Sequence, residues 1–171
     1  IYDLPFGRGK QLGGGWNRLV DAVLGGWTTA GIISARSGRP GGLAVQGNPS
    51  NSSTFTRPNV VSGQTWYLPS DERSMAGWFN TAAFEAPPQY TYGNAGRNII
   101  ILPGAWNFDA AVYKKFRLME RLNLQFRFEA FNAFNHPNWG DPNLALGNKA
   151  FGTIGSASAP RNLQLGLKLI W

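Results

Sequence analysis

The sequence predicts an all-β fold, an antiparallel meander of about five strands with long loops, and three observations support this prediction. Apolar and polar residues alternate with a period of two in three segments of the second half of the chain. Clusters of Gly, Pro, Asn and Ser separate the strand-like segments. No apolar run approaches the roughly 18 residues of a membrane-spanning helix. Residues 1–171 are therefore interpreted as one segment of a β-sheet protein.

The last strand is predicted over 161–171, where every second residue is apolar. Successive side chains of a strand point to opposite faces, so this pattern gives the strand one apolar and one polar face. A helix would scatter the same residues around its circumference. The apolar positions are Leu163, Leu165, Leu167, Leu169 and Trp171.

Two further strands with two distinct faces are predicted over 107–118 and 121–134. In the second, Phe126 and Phe128 share a face that alternates with charged and amide side chains. In the first, Lys114 is the one residue that breaks the alternation. The polar connector at 119–120 is short, which predicts an antiparallel hairpin.

The first third of the chain predicts two strands with a helix between them. A segment rich in β-branched and small residues, 27–37, is followed by a Gly and Pro cluster and is interpreted as a strand. A further strand is predicted over 1–6. Apolar residues at helical spacing over 18–24 predict two helical turns that stop at Gly25 and Gly26.

The connections between these strands alternate in length. The short ones are 7–26 and 119–120, and the long ones are 38–105 and 135–160. Loops longer than about 15 residues are uncommon in compact soluble domains. Outer-membrane barrels, by contrast, have short turns at one end and long external loops at the other. The alternation therefore favours part of an outer-membrane-type barrel.

The apolar face admits two environments. In a soluble sandwich a second sheet covers it, whereas in a membrane barrel it faces lipid and the opposite face lines the lumen. Ending the chain on an aromatic residue of that face favours the membrane. The residues predicted to face lipid or a partner molecule are Phe126, Phe128, Leu163, Leu165, Leu167, Leu169 and Trp171.

Several motifs, taken in order, make the chain similar to a known family. They are 2–7 (YDLPFG), 25–27 (GGW), 37–40 (SGRP), 57–59 (RPN), 78–84 (WFNTAAF), 92–98 (YGNAGRN), 108–109, 114–116, 122–132, 134–138 (FNHPN), 151–154 and 160–161. With this series the chain resembles the C-terminal end of TonB-dependent outer-membrane receptors, above all the Oar-like group, whose members start with a carboxypeptidase-regulatory-like domain. The similarity extends over nearly the whole chain.

The resemblance implies a transport function in the bacterial outer membrane. The chain would supply wall and external loops of a barrel for ligand uptake, with outer-membrane lipid and the rest of the barrel as its partners. A plug domain and most of the strands would lie upstream. The barrel-insertion machinery would read the final strand, in which Trp171 stands where the family usually has Phe.

A second interpretation follows from the strand count. Five strands do not close a membrane barrel, because the smallest have about eight, and unpaired edges in lipid are costly. Either the chain is part of a longer barrel, or copies of itself complete the sheet. Strand addition at the edges would then build an extracellular filament.

Catalysis, cofactors, metals and nucleic acid are not expected. The chain has no Cys and one His, His136, which lies in a turn-like motif. Asp109 and Glu129 would share the polar face, where an ion-pair ladder of Glu129 with Arg127, Lys115 and Arg117 is favoured over an acid/base pair. The net charge is +7. Basic and aromatic residues nevertheless fall on opposite faces of the hairpin, which argues against nucleic-acid binding.

Aromatic residues in the long loop 38–105 allow two interpretations. They either contact a carbohydrate or peptide ligand, or they fold the loop onto itself as a small core. The composition around 78–80 favours the core. The candidates for ligand contact are Trp66, Tyr67, Trp78, Phe79, Tyr90 and Tyr92.

Overall fold

The computed structural model describes all 171 residues. It is all-β apart from one α-helix, α1 (Arg18–Leu24), and one 3-10 turn (Thr81–Ala83), so the predicted fold class is confirmed. The strands are β1 (Tyr2–Asp3), β2 (Trp27–Arg36), β3 (Pro40–Gly41), β4 (Ala44–Val45), β5 (Asn59–Val60), β6 (Phe84–Glu85), β7 (Ile100–Ile101), β8 (Ala105–Arg117), β9 (Asn123–Phe131), β10 (Ala145–Leu146) and β11 (Asn162–Ile170). None of the helical segments has the length and apolar character needed to cross a membrane.

Five strands form one open sheet in the order β1-β2-β8-β9-β11. The sheet does not close, so β1 and β11 are its edges. The long strands lie close to their predicted positions, while β1 is shorter than the predicted 1–6. After Asp3 the backbone N–H of Leu4 donates to the carbonyl of Trp27 at 2.8 Å, and the carbonyl of Phe6 accepts from the N–H of Gly26 at 3.1 Å. Pro5 lies between Leu4 and Phe6 and has no N–H to donate, which ends regular pairing there.

The predicted helix is present with the predicted bounds, Arg18–Leu24. Its first turn is capped by Asn17, whose side-chain oxygen accepts a hydrogen bond from the backbone N–H of Val20 at 2.9 Å. Such a cap satisfies one of the free N–H groups at a helix start and commonly contributes about 1 kcal/mol.

The chain divides into two compact units. The sheet unit comprises Ile1–Ala35, Trp106–His136 and Ala159–Trp171. The loop unit comprises Arg36–Ala105 and Pro137–Ser158, and therefore combines the two long connections.

Strand register in the sheet unit collects the apolar residues on one face. Leu165 pairs with Phe128, and Leu167 pairs with Phe126. On the other side of β9, Val112 also pairs with Phe128. Side chains directly opposite each other in a ladder share a face, so three neighbouring strands contribute to one apolar surface.

The loop unit has a hydrophobic core of its own. Its buried members are Leu43, Phe79, Ala83, Phe84, Ile100 and Leu102. Phe151, from the second connection, packs edge-on against Phe79 with ring centroids 5.3 Å apart. The parallel pairing of β4 with β10 also joins the two connections. The long loops are thus ordered as one folded unit with short strands inside it.

Gly93 provides a test of this packing. A Cβ atom at Gly93 would collide with the carbonyl oxygens of Arg57 and Pro58, which are rigid backbone atoms. We expect Gly93→Ala to destabilise the loop unit by at least about 1–3 kcal/mol. Hydrogen exchange of peptides covering 57–60 and 92–95 in the intact protein measures the effect.

The matched control is Gly155→Ala, because nothing lies within 4 Å of a Cβ atom built there. It should leave exchange unchanged. Equal protection from hydrogen exchange in both variants would show that the fold of the loop unit does not depend on the close backbone approach at Gly93.

Candidate functional site

The apolar face of the sheet is widely exposed at its β11 edge. Leu165 is 70% exposed and Leu167 is 66% exposed. Leu163, Leu169 and Trp171 are also exposed, while Phe126 and Phe128 are half-buried beneath their neighbours. No second sheet covers these side chains within the sheet unit. A contiguous apolar surface of this kind marks contact with a membrane or another molecule.

The opposite face carries a compact charged network. Arg127 and Glu129 form a salt bridge of 2.7 Å. The Tyr113 hydroxyl donates to Glu129 at 3.5 Å, and the Arg127 guanidinium lies 5.1 Å from the centre of the Tyr113 ring. Polar, mutually bonded side chains suit the lumen side of a barrel wall.

The predicted ion-pair ladder is wrong in its details. Register places Lys115 opposite Gln125, and Arg117 opposite Asn123. Glu129 instead lies opposite Ala111, so its cationic partner is Arg127 of the same strand. The alternation of residues assigned the face correctly, but pairing across strands depends on register, which alternation does not determine.

Asp109 has a structural role at the open end of the β8–β9 hairpin, opposite its turn. Its Oδ1 atom accepts hydrogen bonds from the backbone N–H of Asn132 at 2.9 Å and from the Asn107 side chain at 2.7 Å. These bonds tie the start of β8 to the turn that follows β9. The carboxylate is therefore engaged in holding the backbone.

Lys114, which breaks the alternation of β8, lies on the apolar face and is 3% exposed. Its ammonium donates to the carbonyl of Val23 at 3.3 Å and to the carbonyl of Gly25. The centres of the Trp27 and Phe116 rings each lie 5.2 Å from the Lys114 Nζ atom. A buried charge needs such partners, because removing it from water is costly. The break in alternation was the signal for this contact, although it did not identify the partners.

The loop aromatics fall into two groups. Phe79 is a core residue and is 4% exposed. Trp66 packs against Phe84, with ring centroids 6.3 Å apart. Trp78 contacts the Trp139 ring at 5.8 Å and donates its indole N–H to the carbonyl of Ile101. These three side chains are occupied by packing within the loop unit. Tyr67, Tyr90 and Tyr92 are 60%, 70% and 68% exposed, respectively.

Of these exposed tyrosines, Tyr92 borders a sizeable cavity. This loop cavity has a volume of about 680 Å³ and is also lined by Phe55, Arg57 and Arg97. Arg57 donates to the carbonyl of Ala95 at 2.8 Å, which fixes its orientation. An aromatic wall with two guanidinium groups suits an anionic or carbonyl-bearing ligand. Arg57 and Arg97 belong to the motifs 57–59 and 92–98, but neither these motifs nor Phe55 indicated a shared cavity, because only the fold brings the three residues beside Tyr92.

Comparison with known proteins agrees with the geometry of the sheet. Residues 1–164 match the family model described as outer membrane beta barrel domain. No curated protein matches the chain. No solved structure matches it either. The match spans most of the sequence, and it includes the apolar-faced strands β8 and β9 and the start of β11. The chain belongs to the outer membrane beta barrel domain family.

Proposed function

We propose that the chain forms wall and external loops of a TonB-dependent outer-membrane receptor that takes up a ligand. The observation that carries the proposal is the continuous apolar face of β8, β9 and β11, whose leucines have no cover within the sheet. Lipid covers this face in the proposed arrangement, and the network of Tyr113, Arg127 and Glu129 faces the lumen.

The sheet edges support a role as part of a larger wall. β1 and β11 each have one unpaired side. Unpaired backbone groups cost several kcal/mol each in lipid. In the proposed receptor, further strands pair with both edges and close the barrel. The barrel-insertion machinery recognises β11 during assembly.

The loop unit supports a receptor function. Its core keeps the long connections ordered, and its cavity presents Phe55, Tyr92 and Arg97 to a ligand. Ordered loops hold contact residues in place and reduce the entropy lost on binding. Uptake is thus proposed to start at the loop cavity, and the proposal assigns no catalytic step to the chain.

The absence of cysteine in this chain permits a direct test of the lipid-facing surface. We expect Leu165→Cys in the intact protein to resist a water-soluble maleimide, because the reagent does not enter the hydrocarbon layer and the reactive thiolate does not form there. Gln164→Cys, on the opposite face, is the matched control and should react with the same reagent. Labelling of intact outer membranes followed by mass spectrometry gives the two yields.

Two outcomes would contradict the proposal. Equal labelling of both positions by the water-soluble reagent would show that lipid does not cover the leucines. Detergent-free purification as regular fibres would favour self-assembly by strand addition at the edges instead.

Dependence on TonB is tested separately, by capture of the intact protein on the periplasmic domain of the energy-transducing protein. Failure of that capture alone would reject the TonB-dependent class and leave the barrel.

A further inference from the structure

A basic pocket lies within the sheet unit at the end of the sheet where the β8–β9 hairpin turns. Its volume is about 520 Å³, and it is formed by the turn after β1, helix α1 and the last residues of β8. Its cationic lining residues are Arg8, Lys10, Arg18, Lys114, Lys115 and Arg117. One carboxylate, Asp21, lines it as well.

The positive charge of the basic pocket is only partly compensated. Lys10 pairs with Asp3 at 3.5 Å, and Asp21 accepts the backbone N–H of Arg8. Two carboxylates thus stand against six cations, which leaves four positive charges. Like charges held together raise the free energy of the empty pocket and favour a bound anion.

The individual cations differ in how they are held. Lys114 is bound by carbonyl groups, which accept its hydrogen bonds and add no negative charge. The side chains of Arg18, Lys115 and Arg117 are exposed and form no hydrogen bond or salt bridge, although Lys115 interacts with Asp3 at longer range. These three side chains are therefore available to a ligand.

Exposed apolar side chains lie on two of the elements that form the same pocket, helix α1 and the β8–β9 hairpin. On α1, Leu19 is 80% exposed and Val23 is 64% exposed. They lie four residues apart and so share one face of the helix. On the hairpin, Leu118 and Met119 are 52% and 69% exposed. A short helix with an outward apolar face beside clustered cations is typical of a membrane interface.

We propose that the basic pocket binds the phosphate group of an anionic phospholipid. In this arrangement the end of β8 stands at the level of the lipid headgroups. Lys115 and Arg117 belong to the polar face of β8, but there they line the pocket together with Arg18. The three side chains contact the phosphate oxygens, because guanidinium and ammonium groups form strong charge-assisted bonds to them. Leu19, Val23 and Met119 contact the start of the acyl chains. The inference rests on the proposed function, since it needs the sheet to stand in a bilayer.

Native mass spectrometry of the intact protein in nanodiscs tests the proposal. The variant Arg18→Gln with Arg117→Gln removes two free cations, and the control Arg36→Gln with Lys149→Gln removes the same charge at exposed positions outside the pocket. We expect the pocket variant to retain phosphatidylglycerol at least about tenfold more weakly than wild type. The control variant should match wild type, and phosphatidylcholine should bind all three proteins weakly.

Three outcomes overturn the inference. The first is equal retention of phosphatidylglycerol by the pocket variant and wild type. The second is displacement of the lipid by millimolar inorganic phosphate, which would assign the pocket to a soluble phosphate. The third is equal binding of phosphatidylcholine. Protease protection in the same nanodiscs reports insertion independently. A protein that inserts normally but fails these tests therefore rejects the pocket and retains the barrel.

Discussion

Leu167→Arg is expected to block insertion of the barrel into the outer membrane. Leu167 is 66% exposed on the apolar face and pairs with Phe126. A charged side chain on the lipid face near the bilayer midplane costs about 2–4 kcal/mol. The amount of protein recovered in the outer-membrane fraction should decrease. The share of the protein that shows heat-modifiable migration on gels should decrease with it.

Gln164→Arg is the matched control for this prediction. Gln164 belongs to the same strand and pairs with Glu129 on the polar face. An arginine there gains an acidic neighbour and meets no lipid, so insertion should be close to that of wild type. Equal loss of both variants would contradict a lipid-facing row of leucines and would indicate a general defect of the terminal strand.

Phe79→Ala is expected to unfold the loop unit while the sheet remains inserted. Phe79 is 4% exposed and packs against the rings of Phe84 and Phe151. The ring centroids lie 6.0 Å and 5.3 Å from that of Phe79, respectively. Truncation of a buried phenylalanine costs about 3–5 kcal/mol, since it removes apolar contacts and leaves a cavity. We expect the unit to lose its fold after a change of that size, because domains are only marginally stable.

Limited proteolysis of whole cells measures the effect of Phe79→Ala, through cleavage within 38–105. The control is Phe55→Ala, because Phe55 is the same residue type and is 91% exposed. Its effect on stability should stay within about 0.5 kcal/mol, as is usual for surface positions. Resistance of the Phe79 variant to cleavage would show that the aromatic core does not hold the loops.

The sequence predicted the sheet well because alternation is a local signal. The row from Leu163 to Leu169 needed only a period of two to define a strand and its faces, and the structure has that strand as β11. The helix Arg18–Leu24 was predicted by apolar spacing and the glycines that follow. Both features depend on neighbours within one element.

Features that depend on distant residues were not predictable in the same way. Phe151 meets Phe79 across more than seventy residues, and nothing in either segment specifies the other. The carbonyl partners of Lys114 lie about ninety residues away in α1 and the glycine after it. The loop cavity and the basic pocket similarly combine short segments that only tertiary packing brings together. Periodicity therefore identifies faces, while sites arise from topology.

The loop unit is discontinuous in sequence, and this determines when it can form. Its first part, Arg36–Ala105, lacks Phe151 and the partner strand of β4 until Pro137–Ser158 has emerged. Contacts between segments so far apart in sequence form slowly, because closing a long loop costs chain entropy before the contacts stabilise it. The hairpin β8–β9 lies in the chain between these two segments. Since β8 and β9 precede Pro137–Ser158 in the chain, the core of the loop unit is completed only after the hairpin has been synthesised.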